Sequence, residues 1–82
     1  MLIAEIRITL KEGVLDPQGT TLRRSLETLG FAGVGDVRMG KFIRVAFEHG
    51  DRQRAEAETD AMCKKVLTNP VIEQYHYTIR EA

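Results

Sequence analysis

Residues 2–19 read "LIAEIRITLKEGVLDPQG", and this stretch decides the fold because it holds two secondary-structure signals in succession. Apolar residues occupy every second position of its first half: Leu2, Ala4, Ile6, Ile8 and Leu10. A period of two predicts a β-strand with one face on a core. The pair Asp16-Pro17 then predicts a helix start, since a carboxylate accepts free backbone N–H groups and proline suits the first helical position. The stretch therefore predicts a strand followed by a helix that Asp16 caps.

The predicted first helix covers residues 17–29. Leucines recur on one helical face at Leu22, Leu26 and Leu29. Gly30 is typical of the left-handed residue that follows a helix. Gly19 is unusual, because glycine early in a helix costs up to about 1 kcal/mol relative to alanine. We expect the close approach of another backbone segment to explain it.

The glycines of this strand-to-helix crossing raise the question of phosphate binding. A phosphate-binding loop needs a longer glycine-rich turn that ends in Lys-Ser/Thr, and "GVLDPQG" at 13–19 has neither feature. The Asp16 carboxylate would also repel an anion at the helix terminus. We favour structural capping, with contact to a partner as the second interpretation and phosphate binding as the last.

The middle of the chain, residues 36–48, predicts a β-hairpin. The segment 37–39 would form its first strand, Gly40 and Lys41 its turn, and the alternating "FIRVAFE" at 42–48 its second strand. Arg38, Lys41 and Arg44 place cations on this hairpin without the stacking aromatics of an RNA-binding sheet. A solvated surface or an acidic protein partner is therefore favoured there over nucleic acid.

A second helix and a last strand complete the pattern. "HGD" at 49–51 supplies a turn glycine and an acidic cap. One side of the helix is apolar or small at Ala55, Thr59, Met62 and Val66. Asn69-Pro70 predicts the end of this helix. One face of the last strand holds Val71, Tyr75, Tyr77 and Ile79.

The predicted order is β-α-β-β-α-β over a single domain, residues 1–82. The fold class is α+β, with a four-stranded antiparallel sheet and both helices on one face, which is a ferredoxin-like plan. The second sheet face is then bare. Its predicted apolar members are Ile3, Phe42, Ala46 and Ile72, among Arg7, Arg44, Gln74 and Thr78. An apolar patch of about a few hundred Å² marks an interaction surface, so we predict self-association through the sheet, an edge strand or both.

Composition narrows the class of protein. Twelve basic and twelve acidic side chains give a formal net charge of zero, which supplies no long-range attraction for nucleic acid. No apolar run approaches the roughly 18 residues of a membrane span, and the N-terminus lacks a signal-peptide pattern. We expect a cytoplasmic protein. The single cysteine, Cys63, forms no internal disulfide and no zinc knuckle.

No catalytic constellation or metal site is predicted. Nucleophilic catalysis by Cys63 would need a base, and only His49 and His76 are available, on different elements. A buried or half-buried structural role is favoured for this thiol. The glycine-rich segment "LGFAGVGDVRMGKF" at 29–42 follows a helix and precedes a strand, the reverse of a dinucleotide-binding loop, so turn chemistry is favoured.

Three segments in this order carry a family resemblance: "KEGVLDPQG" (11–19), "VRMGKF" (37–42) and "MCKKVLTNPVIEQY" (62–75). Together they closely resemble the PurS family, the small subunit of phosphoribosylformylglycinamidine synthase. The resemblance covers nearly the whole chain. It implies a purine-biosynthesis ligase in which a glutaminase subunit releases ammonia and a large synthetase subunit uses ATP and magnesium. The small subunit, as a homodimer or tetramer, is implied to carry no cofactor or catalytic residue, to bridge the other two and to help ammonia pass between them.

The resemblance also implies which residues direct assembly. These are Asp16, Pro17, Gln18 and Gly19 at the first helix start, Arg38, Gly40 and Lys41 at the hairpin, and Asn69 with Pro70 before the last strand. Two alternatives share the predicted order of elements. An acylphosphatase-like enzyme would need an arginine in the loop after the first strand, and residues 11–19 contain none. A regulatory module of ACT type would bind an amino acid at a dimer interface.

Overall fold

The computed structural model describes residues 1–82 and shows an α+β fold with two α-helices and one sheet. The elements in chain order are β1 (Leu2–Leu10), α1 (Pro17–Thr28), β2 (Gly40–Phe47), α2 (Arg52–Met62) and β3 (Glu73–Glu81). The sheet is antiparallel and has three strands in the order β2-β1-β3. Neither helix is long and apolar enough to cross a membrane.

The first strand is the central strand of the sheet, because it pairs with β2 on one side and with β3 on the other. Ile6 lies opposite Ile43 on β2 and Tyr77 on β3. Leu2, Ala4, Ile6 and Ile8 form the middle of a small core with Phe47, Ala55 and Cys63. Helix α2 covers this face over β1 and β3. The part of the face on β2 has no helix above it.

The predicted hairpin strand at 37–39 is wrong, and the sheet has three strands rather than four. Residues 37–39 instead hold the start of α1: the backbone N–H of Met39 donates to the Asp16 carboxylate. Gly40 is the first residue of β2, not a turn residue, and lies opposite Thr9. A Cβ added at Gly40 would come within 2.8 Å of the Ile8 carbonyl oxygen, so β1 and β2 need glycine there to approach each other.

Helix α1 does not lie on the sheet, and the expectation of both helices on one face is wrong for this element. Its start is fixed beside residues 37–39, which precede β2 in the chain. The radius of gyration is 16.3 Å, whereas a compact chain of this length has about 12 Å. Leu22 and Leu29 are consequently 42% and 73% exposed.

The end of α1 follows the prediction. Gly30 has a φ of +95°, which is the left-handed conformation that glycine adopts without strain. The N–H of Gly30 donates to the Glu27 carbonyl and that of Phe31 to the Leu26 carbonyl, each at 3.0 Å. These two bonds form a Schellman motif and satisfy carbonyls that the helix end leaves free.

The second helix differs from its prediction in the last turn. Cys63–Leu67 form a π-helical turn, which holds one extra residue per turn. Cys63 becomes fully buried and Leu67 packs on the core, while Val66 is 79% exposed. The placement of Val66 on the apolar side is therefore wrong. The last strand begins at Glu73, and Val71 lies in the preceding turn at 78% exposure.

Candidate functional site

The residues predicted to direct assembly gather at one end of the sheet. We name it the loop end, and it comprises residues 11–19, 36–41 and 68–73. Here β1 ends while β2 and β3 begin, so three separate sequence segments meet. A pocket of about 190 Å³ opens between them. Its lining includes Asp16, Gln18, Met39, Gly40, Lys41 and Glu73.

Asp16 joins two of the three segments. Its carboxylate accepts the N–H of Gly19 at 2.8 Å, as predicted for a helix cap, and also that of Met39 at 2.6 Å. The Gly19 and Met39 hydrogen bonds lower the pKa of the Asp16 carboxyl below its ordinary value. Pro17 occupies the first helical turn. The buried Asp16 carboxylate fills the helix terminus. The N–H groups of Gly19 and Met39 already donate to it, so they are not free to bind a phosphate.

Gly19 is explained by the backbone of Val37. A Cβ at Gly19 would overlap the Val37 carbonyl oxygen and would lie 2.9 Å from its carbonyl carbon. The expected close approach of another backbone is confirmed. The start of α1 and the segment 37–39 are thus packed main chain against main chain, and Gln18 lies beside the pocket.

Arg38 holds the loop that follows β1. Its guanidinium donates to the Val14 carbonyl at 3.0 Å and to the Lys11 carbonyl at 3.3 Å. Two N–H groups of one guanidinium bind two carbonyl oxygens of the loop. A lysine has no planar pair of donors, so the loop geometry depends on arginine at this position. Arg38 therefore has a structural role in this chain, in addition to any contact with a partner.

Lys41 and Glu73 connect β2 with β3 across the end of β1. Their side chains form an ion pair at 3.2 Å. Glu73 also accepts the backbone N–H of Asn69 at 2.7 Å, and this bond, assisted by Lys41, lowers the pKa of the Glu73 carboxyl. Pro70 contributes its carbonyl, which accepts the Lys11 ammonium at 2.6 Å. Asn69 and Pro70 thus form part of the loop end through backbone and side-chain contacts.

The predicted self-association residues divide into two groups. Ile3, Phe42 and Ala46 share the sheet face opposite α2, because they alternate with the buried residues of β1 and β2. Ile72 lies in the turn just before β3, where its carbonyl accepts the Lys11 N–H. Sequence analysis missed Arg80, which the alternation of β3 also places on the bare face, opposite Ile3.

The groups capable of covalent chemistry are separated. Cys63 is fully buried in the core, as predicted for a structural thiol, and burial followed by the nearby Asp60 charge raises its pKa. His49 lies 3.0 Å from Glu58 beside α2, whereas His76 lies on the opposite sheet face, across from Arg7. No group of three or more His, Cys, Asp or Glu side chains is arranged to hold a metal ion.

The geometry defines a class of protein: a small α+β domain with a thin core, a helix that does not pack on the sheet, and a polar loop end. The sequence model of the PurS family, described as phosphoribosylformylglycinamidine (FGAM) synthase, matches residues 3–81. This chain belongs to the PurS family. The acylphosphatase and ACT interpretations are not favoured.

PurS proteins from other organisms match nearly the whole length of this chain. The PurS subunit of phosphoribosylformylglycinamidine synthase from Archaeoglobus fulgidus is 44% identical over 80 residues, spanning 98% of this chain and 100% of that protein. The crystal structure of Methanocaldococcus jannaschii PurS, one of the subunits of formylglycinamide ribonucleotide amidotransferase in the purine biosynthetic pathway, superposes with a TM-score of 0.89 at 39% identity, covering 100% and 99% of the two chains. A chain of PurLQS from Thermotoga maritima superposes with a TM-score of 0.84 at 27% identity, covering 98% and 99%.

Proposed function

We propose that this chain is the small, non-catalytic subunit of a cytoplasmic phosphoribosylformylglycinamidine synthase in purine biosynthesis. It bridges the glutaminase and synthetase subunits and assists ammonia transfer, while ATP and magnesium bind to the large synthetase. The observation that carries the proposal is the match over residues 3–81 to the PurS family, supported by the likeness to a chain of PurLQS.

The chemistry of ammonia explains why such a subunit is needed. Free ammonia is protonated and diluted in water, so transfer between two active sites needs a path from which water is excluded. A chain that closes such a path contributes shape and complementary surface. We infer that the loop end supplies this surface. What supports the inference is that its three segments are fixed to one another by Asp16, Arg38 and the Lys41–Glu73 pair.

Self-association belongs to the same proposal. The isolated chain leaves Leu22 in α1 and Leu29 at its end exposed, and no helix packs closely on the core face of β2. Both surfaces are apolar. In a pair of copies, the α1 surface of each copy can contact the β2 surface of the other. We place α1 of one copy over the uncovered strand of the other in a homodimer, which is the usual symmetric solution for such pairs.

Reconstitution tests the bridging role. The chain is mixed with the glutaminase and synthetase of the same organism, with and without Mg-ADP and glutamine, and complexes are separated by size exclusion. We expect glutamine-supported synthesis to require the chain, whereas synthesis supported by added ammonium salt proceeds without it. Full glutamine-supported turnover in the absence of the chain would contradict the proposal.

Contact through the loop end is tested by charge reversal with a compensated control. Lys41→Glu breaks the ion pair with Glu73 and reverses a charge beside the pocket, and we expect weaker assembly and lower glutamine-supported activity. Lys41→Glu combined with Glu73→Lys restores the pair. Recovery of assembly in the double variant would assign the effect to the pair, and persistent loss would assign it to direct contact between Lys41 and a partner.

A further inference from the structure

We propose that the bare face of the sheet binds an acidic surface on another subunit of the complex. This inference rests on the proposed function and adds the chemistry of one contact surface. We define the bare face as the outward residues Ile3, Glu5, Arg7, Thr9, Phe42, Arg44, Ala46, Gln74, His76, Thr78 and Arg80.

The charges on this face are unbalanced. It holds three guanidiniums and one carboxylate, in a chain with a net charge of zero. Glu5 is shared between two of the cations: it lies 3.6 Å from Arg44 and 3.2 Å from Arg80. Positive charge therefore exceeds negative charge across the middle of the sheet, and the compensating negative charge lies elsewhere on the molecule.

Arg7 is the one arginine of this face that has no carboxylate partner within the chain. Its guanidinium lies 5.4 Å from the centre of the Phe42 ring and forms neither a hydrogen bond nor an ion pair with any residue of the chain. The ring holds the side chain over β2 while all of the guanidinium donors stay free. A planar fork held in one orientation is suited to a carboxylate, which it binds through two parallel hydrogen bonds.

Phe42 supplies the apolar part of the surface. Phe42 is 53% exposed, although phenylalanine is a large apolar residue that is usually buried. Aromatic residues, including phenylalanine, and arginine are enriched at protein interfaces relative to the rest of the surface. The row Phe42, Arg7, His76 runs across all three strands of the sheet, so the anchor lies on a rigid element.

Other occupants fit less well. A second copy placed face to face would bring the same excess of guanidiniums against its own, and like charges across an interface are unfavourable. Single-stranded RNA fits less well because it is a polyanion, and a chain with a net charge of zero supplies no long-range attraction for it. An acidic protein surface complements both the charge and the free donors.

Binding of matched variants to the glutaminase and synthetase subunits tests this surface. Arg7→Glu reverses the unpaired charge, Phe42→Ala removes the ring, and Lys65→Glu is the control, since Lys65 is exposed on the helix side and has no ion pair. We expect Arg7→Glu to weaken binding to one subunit by about tenfold or more and Lys65→Glu to leave it unchanged. Binding of the wild-type chain should also weaken as salt increases.

The outcomes separate this inference from the proposed function. If the wild-type chain binds neither subunit, both are overturned. If the wild-type chain binds and both Arg7→Glu and Phe42→Ala bind as tightly, only the acidic-surface inference is overturned. A change in the mass of the free chain in light scattering, with no change in binding to the other subunits, would assign the face to a second copy and overturn it as well. Unchanged melting temperatures of the variants confirm that each is folded.

Discussion

Thr59 places a side-chain hydroxyl in the core without a partner. The residue is fully buried, and its Oγ1 atom makes no hydrogen bond. A buried hydroxyl without a partner loses its hydration and gains nothing in return. We predict that Thr59→Val, which replaces the hydroxyl by a methyl group of similar shape, stabilises the chain by about 1 kcal/mol. Thermal unfolding measures this, with Thr59→Ala as a control that should destabilise by opening a cavity; a lower melting temperature for Thr59→Val would show that the hydroxyl has an acceptor.

Tyr75 gives the chain a specific response to alkali. Its hydroxyl donates to the Asp60 carboxylate at 2.7 Å, and that bond, with burial, raises its pKa from 10.0 to about 12. A raised folded-state pKa means that the stabilisation is complete below the unfolded value and is lost as pH rises. We therefore predict that stability falls between pH 10 and about 12.

A spectroscopic titration isolates this group. In a Tyr77→Phe variant Tyr75 is the only tyrosine, because the chain has two. Its ionisation is followed by absorbance near 295 nm. Asp60→Asn removes the acceptor charge and should lower the midpoint toward the ordinary tyrosine value. An equal midpoint with and without the carboxylate would mean that the Asp60 bond does not govern the titration.

At the scale of elements, the substitution Gly19→Ala distinguishes two opposite expectations for the stability of the chain. Helix propensity alone predicts that Gly19→Ala stabilises α1 by up to about 1 kcal/mol. The packing against Val37 predicts the reverse, since the added Cβ overlaps a backbone carbonyl that cannot rotate away. We expect destabilisation of about 1–3 kcal/mol, measured by urea unfolding. Ser25→Ala on the exposed part of α1 is the control and should stabilise slightly; stabilisation by both variants would contradict the packing account.

The strands and caps were predictable where the signal is local. Alternation along β1 identifies its buried face, and the Asp16 cap and the Gly30 end of α1 follow from the chemistry of single positions. The strand at 37–39 could not be excluded in this way. Its apolar alternation resembles that of a strand, but whether Met39 donates to a neighbouring strand or to Asp16 depends on tertiary structure.

The remaining differences concern geometry that no short pattern encodes. A π-helical turn moves Val66 out to solvent and Cys63 inward, and regular helical spacing cannot anticipate the extra residue. The loop end brings the predicted assembly residues together, and their role in assembly stays a prediction. The resemblance implies assembly roles for Arg38 and Lys41, and the structure adds an intramolecular contact for each, with the loop after β1 and with Glu73 respectively.

At the scale of the whole molecule, the shape itself indicates a missing neighbour. The chain extends over 49 × 27 × 14 Å, with ten residues buried. So thin a core leaves little surplus over the conformational entropy that folding removes, and small domains commonly recover it by association. The exposed leucines of α1 would recover apolar burial in a dimer at about 25 cal/mol per Å².

Disruption of the apolar face of α1 tests this account of the homodimer. Leu26→Glu places a charge in the middle of the leucine face, and burial of that charge in a dimer would be unfavourable. We predict that the variant is monomeric in light scattering at micromolar concentration and that its melting temperature is lower and no longer rises with protein concentration, because a dimer is stabilised by mass action and a monomer is not. Arg24→Gln, on the opposite side of the same helix, changes the net charge by the same amount and should remain dimeric. A dimeric Leu26→Glu variant would exclude α1 as the self-association surface.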